Sequence, residues 1–135
     1  MHIDQARSFD IAARVVMAAL VLMLTGCSWF GGRSAPALVH EGYLTDREGR
    51  ALYTYDRDRL LPSESLCAAE CAQLFPPYIV PESARRTDDY RWVRRSDGTR
   101  QWTSHGHPLY RYSGDRSPGQ LAGEGYDNLF RLARP

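Results

Sequence analysis

Apolar positions along this 135-residue chain fall into two regimes. The first is an unbroken apolar run, Val15 to Leu24, preceded by a mixed-charge segment that ends on Arg14. The run is well short of the roughly 20 apolar residues that cross a bilayer as a helix, and it has the length and flanks of a signal-peptide core. Beyond residue 36 the pattern changes to short stretches rich in Tyr, Trp and Gly, separated by turn residues, which read as strands. Leu38–Leu44 and Ala51–Tyr55 are predicted strands joined by the turn 45–50. Tyr90–Arg95 and Thr99–Thr103 flank Ser96-Asp97-Gly98, and Asp-Gly between aromatic-bearing runs signals a hairpin. His105-Gly106-His107 turns the chain into a strand over Pro108–Tyr112, and Leu129–Leu132 is a last short strand. One helix is predicted over Ser65–Leu74, after Ser63 and before Pro76-Pro77. Asp115–Asn128 reads as a long Gly-rich loop. The expected fold is mostly β: a small single domain of two related β units with one short helix, after an N-terminal signal peptide.

The two units are visible as an internal repeat. Gly49 to Asp58 aligns with Gly106 to Asp115, with five of ten positions identical, and each copy follows a turn and starts a strand. Tyr53 and Tyr55 lie two apart and share a face of their strand, as do Tyr110 and Tyr112, while Leu52 and Leu109 face the other way. Asp58 and Asp115 come just after the strands, where a carboxylate is expected to accept backbone N–H groups in an Asx-type turn. The expected role of the motif is structural, with stacked aromatics in a thin core.

The apolar run ends in Leu24-Thr25-Gly26-Cys27. This resembles the lipobox of bacterial lipoproteins, which implies cleavage before Cys27 and acylation of its thiol. Residues 1–26 are then the signal peptide, 27–36 the lipidated Cys and a flexible tether containing Gly31, Gly32, Ser34 and Pro36, and 37–135 the β-rich repeat domain. Ser28 after the lipidated Cys favours the outer membrane, facing the periplasm.

Composition supports export. Of three Cys, lipidation accounts for Cys27 and leaves Cys67 and Cys71 as a pair. Four apart on a helix, they share one face at a separation a disulfide accommodates, and the periplasm favours that bond; a redox-active dithiol or a metal site are the alternatives. The basic residues are all Arg, and removing residues 1–26 leaves 15 Arg against 14 acids. A nearly neutral domain with interleaved signs argues against nucleic acid as a partner.

Two further clusters bear on chemistry. His105 and His107 flank Gly106, and two imidazoles in a turn are candidate ligands for copper or zinc, with His40 or a Cys as further donors. Asp115, Glu124 and Asp127 lie in the Gly-rich loop and are candidate oxygen ligands for calcium, although their spacing is not that of an EF-hand. No Ser/His/Asp or Cys/His arrangement, phosphate loop or carboxylate pair marks a catalytic centre.

Taken jointly, the motifs resemble those of a family of predicted bacterial lipoproteins, the secreted repeat of unknown function with its Yx(FWY)xxD motif. Tyr53-x-Tyr55-x-x-Asp58 and Tyr110-x-Tyr112-x-x-Asp115 match it. Cys67-Ala68-Ala69-Glu70-Cys71-Ala72 and Phe75-Pro76-Pro77 look like the family's Cys-x-x-x-Cys-Ala and aromatic-Pro-Pro elements, and Asp97-Gly98-x-x-Gln101-Trp102 and Gly106-x-Pro108-Leu109-Tyr110 also match. The resemblance covers about Leu44 to Leu132. It departs in Phe75, where Trp is usual, and in Gln120, where an acid is common. It implies an envelope lipoprotein and leaves the chemistry open.

The expectation is a non-catalytic binding or structural module, held to the bilayer through acylated Cys27 and facing an envelope protein or small ligand. No cofactor is expected. The alternative is a redox or metal-handling lipoprotein (copper, zinc or haem) using Cys67, Cys71, His105 and His107.

Overall fold

The computed structural model describes residues 35–61 and 64–135. The apolar run and Cys27 lie outside these residues. Among the described residues seven short strands form three small antiparallel sheets. β1 (Leu38–His40) pairs with β2 (Tyr43–Thr45), and β3 (Tyr53–Tyr55) pairs with β7 (Phe130–Leu132). The third sheet is β4 (Tyr90–Arg94), β5 (Arg100–Ser104) and β6 (His107–Pro108), in that order. Among the described residues one α-helix, α1, spans Glu70–Leu74, and 3-10 turns occupy Asp56–Leu60 and Tyr126–Asn128. Among the described residues no helix is long and apolar enough to cross a membrane.

Several expected elements are shorter than their patterns suggest, each for a local reason. Leu38–Leu44 is a hairpin of its own rather than one strand. Glu41 and Gly42 both take positive φ, 46° and 82°, which is the turn that joins two twisted strands with a two-residue loop and which favours Gly at the second position. The helix expected over Ser65–Leu74 begins only at Glu70. The N–H of Leu66 is taken by the Asp58 carboxylate, the carbonyl of Cys67 by Arg95, and Ala69 sits at φ 51°. The strand expected over Pro108–Tyr112 pairs with β5 only at His107–Pro108. Tyr110 leaves that sheet to bridge Tyr53 and Pro77.

The bridge between Tyr53 and Tyr110 organises the molecule. Each is the first Tyr of its copy, and each donates its N–H to the other's carbonyl, at 2.8 and 2.9 Å. An antiparallel exchange between equivalent residues relates the copies by a local two-fold, and the flanking bonds repeat in pairs. Leu52 N–H donates to Leu44 O as Leu109 N–H does to Trp102 O. Asp56 N–H donates to Leu129 O as Ser113 N–H does to Leu74 O. Ala133 N–H donates to Leu52 O as Tyr78 N–H does to Leu109 O, and Leu44 N–H donates to Ala133 O as Trp102 N–H does to Tyr78 O. The duplication is therefore longer than the ten-residue motif. Each copy is a strand, a turn, the Tyr-bearing segment, an Asp, a loop, a helical turn and a final extended segment. That final segment pairs across the molecule: Pro77 bridges Tyr110 of the second copy, and β7 pairs with β3 of the first.

Alternation divides the core as the sequence pattern requires. Tyr53, Tyr55, Tyr110, Phe75 and Phe130 are buried on one side, with Tyr112 packed against them. Leu44, Leu52, Leu109, Val80 and Trp102 form a separate cluster on the other. In the first cluster four rings follow one another across the two-fold, the first three stacked and the fourth, Tyr112, tilted 31° to Phe75. Tyr55 lies on Phe130 (centroids 4.6 Å), Phe130 on Phe75 (3.5 Å, planes within 3°), and Phe75 on Tyr112 (4.8 Å). Phe75 and Phe130 occupy equivalent places, so the centre of the core is a ring from one copy against its counterpart from the other.

That placement gives a direct expectation. Phe75→Ala and Phe130→Ala should each lower the unfolding free energy by about 3–5 kcal/mol, the usual cost of truncating a buried ring. Denaturant unfolding should show the two variants similarly weakened, and the double variant should fall short of the sum because both remove the same stacked contact.

Candidate functional site

The repeat motif is built into the interior. Tyr53 and Tyr110 are fully buried, and Asp58 and Asp115 are nearly so. Each phenol reaches the carboxylate of the other copy: Tyr53 Oη donates to Asp115 Oδ2 at 2.5 Å, and Tyr110 Oη donates to Asp58 Oδ2 at 2.7 Å. The second carboxylate oxygen holds the loop that follows. Asp58 Oδ1 accepts Leu66 N–H at 2.7 Å, and Asp115 Oδ1 accepts Ala122 N–H at 2.9 Å. These bonds span eight and seven residues, so the Asx-type turn expected from the sequence is replaced by a longer clamp.

The phenol oxygens accept as well as donate. Tyr53 Oη accepts Gly123 N–H at 3.3 Å. A Cβ on Gly123 would stand 2.8 Å from the Tyr53 ring, so only Gly lets the backbone come this close. Tyr110 Oη accepts the Ser65 hydroxyl at 2.7 Å, and Ser65 Oγ accepts from buried Arg95 at 2.6 Å. Arg95 also donates to Gln101 Oε1 and to Cys67 O, both at 2.8 Å, and Gln101 donates to Leu109 O. Arg95 and Ser65 of this relay were not among the candidate residues of the sequence. Its only sequence trace is Gln101 beside Trp102 after the Asp-Gly turn.

Burial drives both phenols upward in pKa, with the facing carboxylate adding to the shift. Burial also raises Asp58, opposed by the Leu66 N–H and the Tyr110 hydroxyl.

Cys67 and Cys71 are joined by a disulfide, with Cα atoms 5.2 Å apart. It closes the approach to α1, and Cys67 is fully buried. Cys71 lies at the edge of an open cleft of about 280 Å³, with Tyr55, Phe75, Tyr126, Leu129 and Phe130. Tyr126 remains 40% exposed at its mouth. The cleft is thus the solvent-facing side of the stacked rings.

His105 and His107 line a different cavity, beside Arg131 and Arg134. The structure does not bring the Cys and His pairs to one site, and among the described residues no group of three or more His, Cys, Asp or Glu is placed to hold a metal ion. The three acids of the Gly-rich loop diverge in the same way. Asp115 is committed to Tyr53 and Ala122, the Glu124 carboxylate accepts Leu132 N–H, and Asp127 faces the aromatic cleft.

The raised phenols fix an alkaline response. A tyrosine whose pKa is higher in the folded chain contributes stability that is complete below its unfolded value of about 10 and is lost as pH rises through the folded value. In an absorbance titration of the phenolates, Tyr53 and Tyr110 should stay protonated past pH 10 and ionise only together with alkaline unfolding. Replacing either by Phe should remove one late-titrating group.

Residues 91–129 match the family described as a secreted repeat of unknown function. No curated protein and no solved structure matches the chain. The match runs from β4 through Tyr110, Tyr112 and Asp115 into the loop that Asp115 holds at the Ala122 N–H. The segment that builds most of the second copy is therefore similar to the secreted repeat of unknown function, the family that the sequence motifs resemble.

Proposed function

We propose that the chain is a lipid-anchored envelope module that acts by binding rather than by catalysis, with the aromatic cleft beside the disulfide as its contact site. The observation that carries this reading is the commitment of the buried Tyr–Asp pairs. Each phenol donates to a carboxylate and accepts a further donor, and each carboxylate also holds a loop N–H. Groups satisfied in this way stabilise the fold and are not poised to exchange protons with a substrate.

The cleft has the opposite character. It is open and lined by Tyr55, Phe75, Tyr126, Leu129 and Phe130, together with the charged Arg57, Glu70 and Asp127. Apolar walls with a few polar groups at the edge are the usual form of a small-ligand or peptide side-chain site. The occupant it fits is a flat apolar group, such as an aromatic side chain of an envelope protein. Acylation at Cys27 would hold the domain at the outer membrane with this cleft facing the periplasm.

Two measurements test the two halves of the reading. Labelled palmitate should enter the chain in cells and should be lost in Cys27→Ser. Indole, titrated into the full chain in neutral detergent, should give saturable NMR shifts at Tyr126, Leu129 and Phe130. Tyr126→Ala, at a half-open position, should weaken binding about tenfold with little loss of stability. Shifts that map elsewhere, or that persist in Tyr126→Ala, would contradict the cleft assignment.

A further inference from the structure

An apolar surface surrounds the point at which the chain enters the domain. Tyr78 Oη donates to Pro36 O at 2.6 Å, and Arg47 Nη2 donates to Ala35 O at 3.1 Å, so the entry point is fixed. Two open hollows flank it. One, of about 430 Å³, has Pro36, Arg47, Tyr78, Ile79, Pro81 and Arg85 in its lining. The other, of about 240 Å³, is lined by Leu38 and Val39, with Pro118, Gly119 and again Arg47. Arg47 belongs to both, so the two hollows form one continuous surface.

Three large apolar side chains of this surface are left to water. Leu38 is 51% exposed, Val39 61% and Ile79 44%. β1, which carries the first two, is a sheet edge whose one partner is β2, and all three of its residues are exposed. A strand ordinarily buries one of its two faces; β1 buries neither. The other exposed leucines, Leu60, Leu61, Leu66 and Leu121, line neither hollow.

Charge does not select a partner for this surface. Asp46 pairs with Arg50 and Arg111, and Glu48 pairs with Arg111. Glu41 and Glu82 in the adjoining turns stand against Arg47 and Arg85. The two signs nearly cancel, so apolar contact is what the surface offers.

We infer that this surface docks on the lipid bilayer. The inference rests on the acylation of Cys27 proposed above. Ala35 is eight positions after Cys27, and a fully extended chain of that length spans at most about 28 Å, close to the width of a compact domain of this size. An acyl anchor therefore keeps the surface around Ala35 within reach of the membrane. Leu38, Val39 and Ile79 enter the boundary between headgroups and acyl chains, where binding scales with the apolar area buried. The long side chains of Arg47 and Arg85 extend to the headgroups from the same surface.

Docking in this way leaves the aromatic cleft open. Ala37 and Val80 belong to the leucine–tryptophan core cluster and Tyr78 packs against it, whereas the cleft is lined from the aromatic cluster on the other side. The two surfaces share no residue.

The full chain, purified from cells and placed in phosphatidylcholine nanodiscs, provides the test. Lipids that carry a nitroxide on the acyl chain should broaden the amide resonances of Leu38, Val39 and Ile79 and leave those of Tyr126, Leu129 and Phe130 sharp. Raising sodium chloride should not relieve the broadening, because salt screens charge and not apolar contact. The triple variant Leu38→Thr, Val39→Thr, Ile79→Thr, at exposed positions and with β propensity kept, should cut the broadening at these positions about tenfold. Palmitate incorporation and the indole response of the cleft should be unchanged in that variant.

The outcomes separate docking from anchoring. Palmitate at Cys27 without broadening at these residues overturns docking and leaves the anchor. Broadening there in a chain that carries no palmitate supports docking and overturns the anchor. Equal broadening of surface and cleft, or broadening that persists in the triple variant, overturns the proposal. So do Leu38 and Val39 resonances that shift with protein concentration in lipid-free detergent, the mark of a second copy on the β1 edge.

Discussion

Two phenol–carboxylate hydrogen bonds, each running from one copy of the repeat to the other, are the constraint on which the remaining structure depends. Tyr53 donates to Asp115 and Tyr110 donates to Asp58. Both donors and both acceptors are withdrawn from water, so neither group can afford to lose its partner. Because each Asp also fixes the loop that follows it, the bond that joins the copies also sets the path of the chain to Phe75 and Phe130. Those rings then meet face to face and complete the core. The strands are only two to five residues long, and sheets this small are marginal alone. Stability comes instead from the interlock, in which each copy supplies an extended segment to the other.

Much of this was legible in the sequence. The spacing of Tyr53 and Tyr55, and of Tyr110 and Tyr112, placed them on one face and Leu52 and Leu109 on the other, and the two core clusters follow that division. Asp-Gly marked the β4–β5 hairpin, and the odd Cys count singled out Cys67 and Cys71, which are bonded. Local patterns decided each of these.

What the pattern did not give was anything set by contacts between the copies. The phenols point at Asp residues 62 and 52 positions away, a relation no local window contains. The carboxylates were read as closing their own turns because short-range N–H groups are the commonest partners of such residues. The helix was read too long because the outside claims on Leu66 and Cys67 are invisible in the run from Ser65 to Leu74. His105 and His107 line a cavity with Arg59, Arg131 and Arg134 that Cys67 and Cys71 do not line. The equivalence of Asp46 and Ser104 emerges only once the copies are aligned by their hydrogen bonds rather than by the ten-residue motif.

Duplication gives this fold two equivalent surfaces that can diverge while the core stays shared. The lock, the ring stack and the crossed segments are common to both copies, whereas the disulfide belongs to the first, and the buried Asp46 of the first stands where the second has Ser104. The central claim is that the repeated Tyr–Asp motif is a reciprocal lock, and a double-mutant cycle measures it most directly. Unfolding free energies of Tyr53→Phe, Asp115→Asn and the double variant should give a coupling of about 1.5–3 kcal/mol, the range for a hydrogen bond to a charged group, and Tyr110→Phe with Asp58→Asn should give a similar value. A coupling near zero in both pairs would show that the phenols and carboxylates act independently, and the account of the fold as two copies locked through their motifs would be wrong.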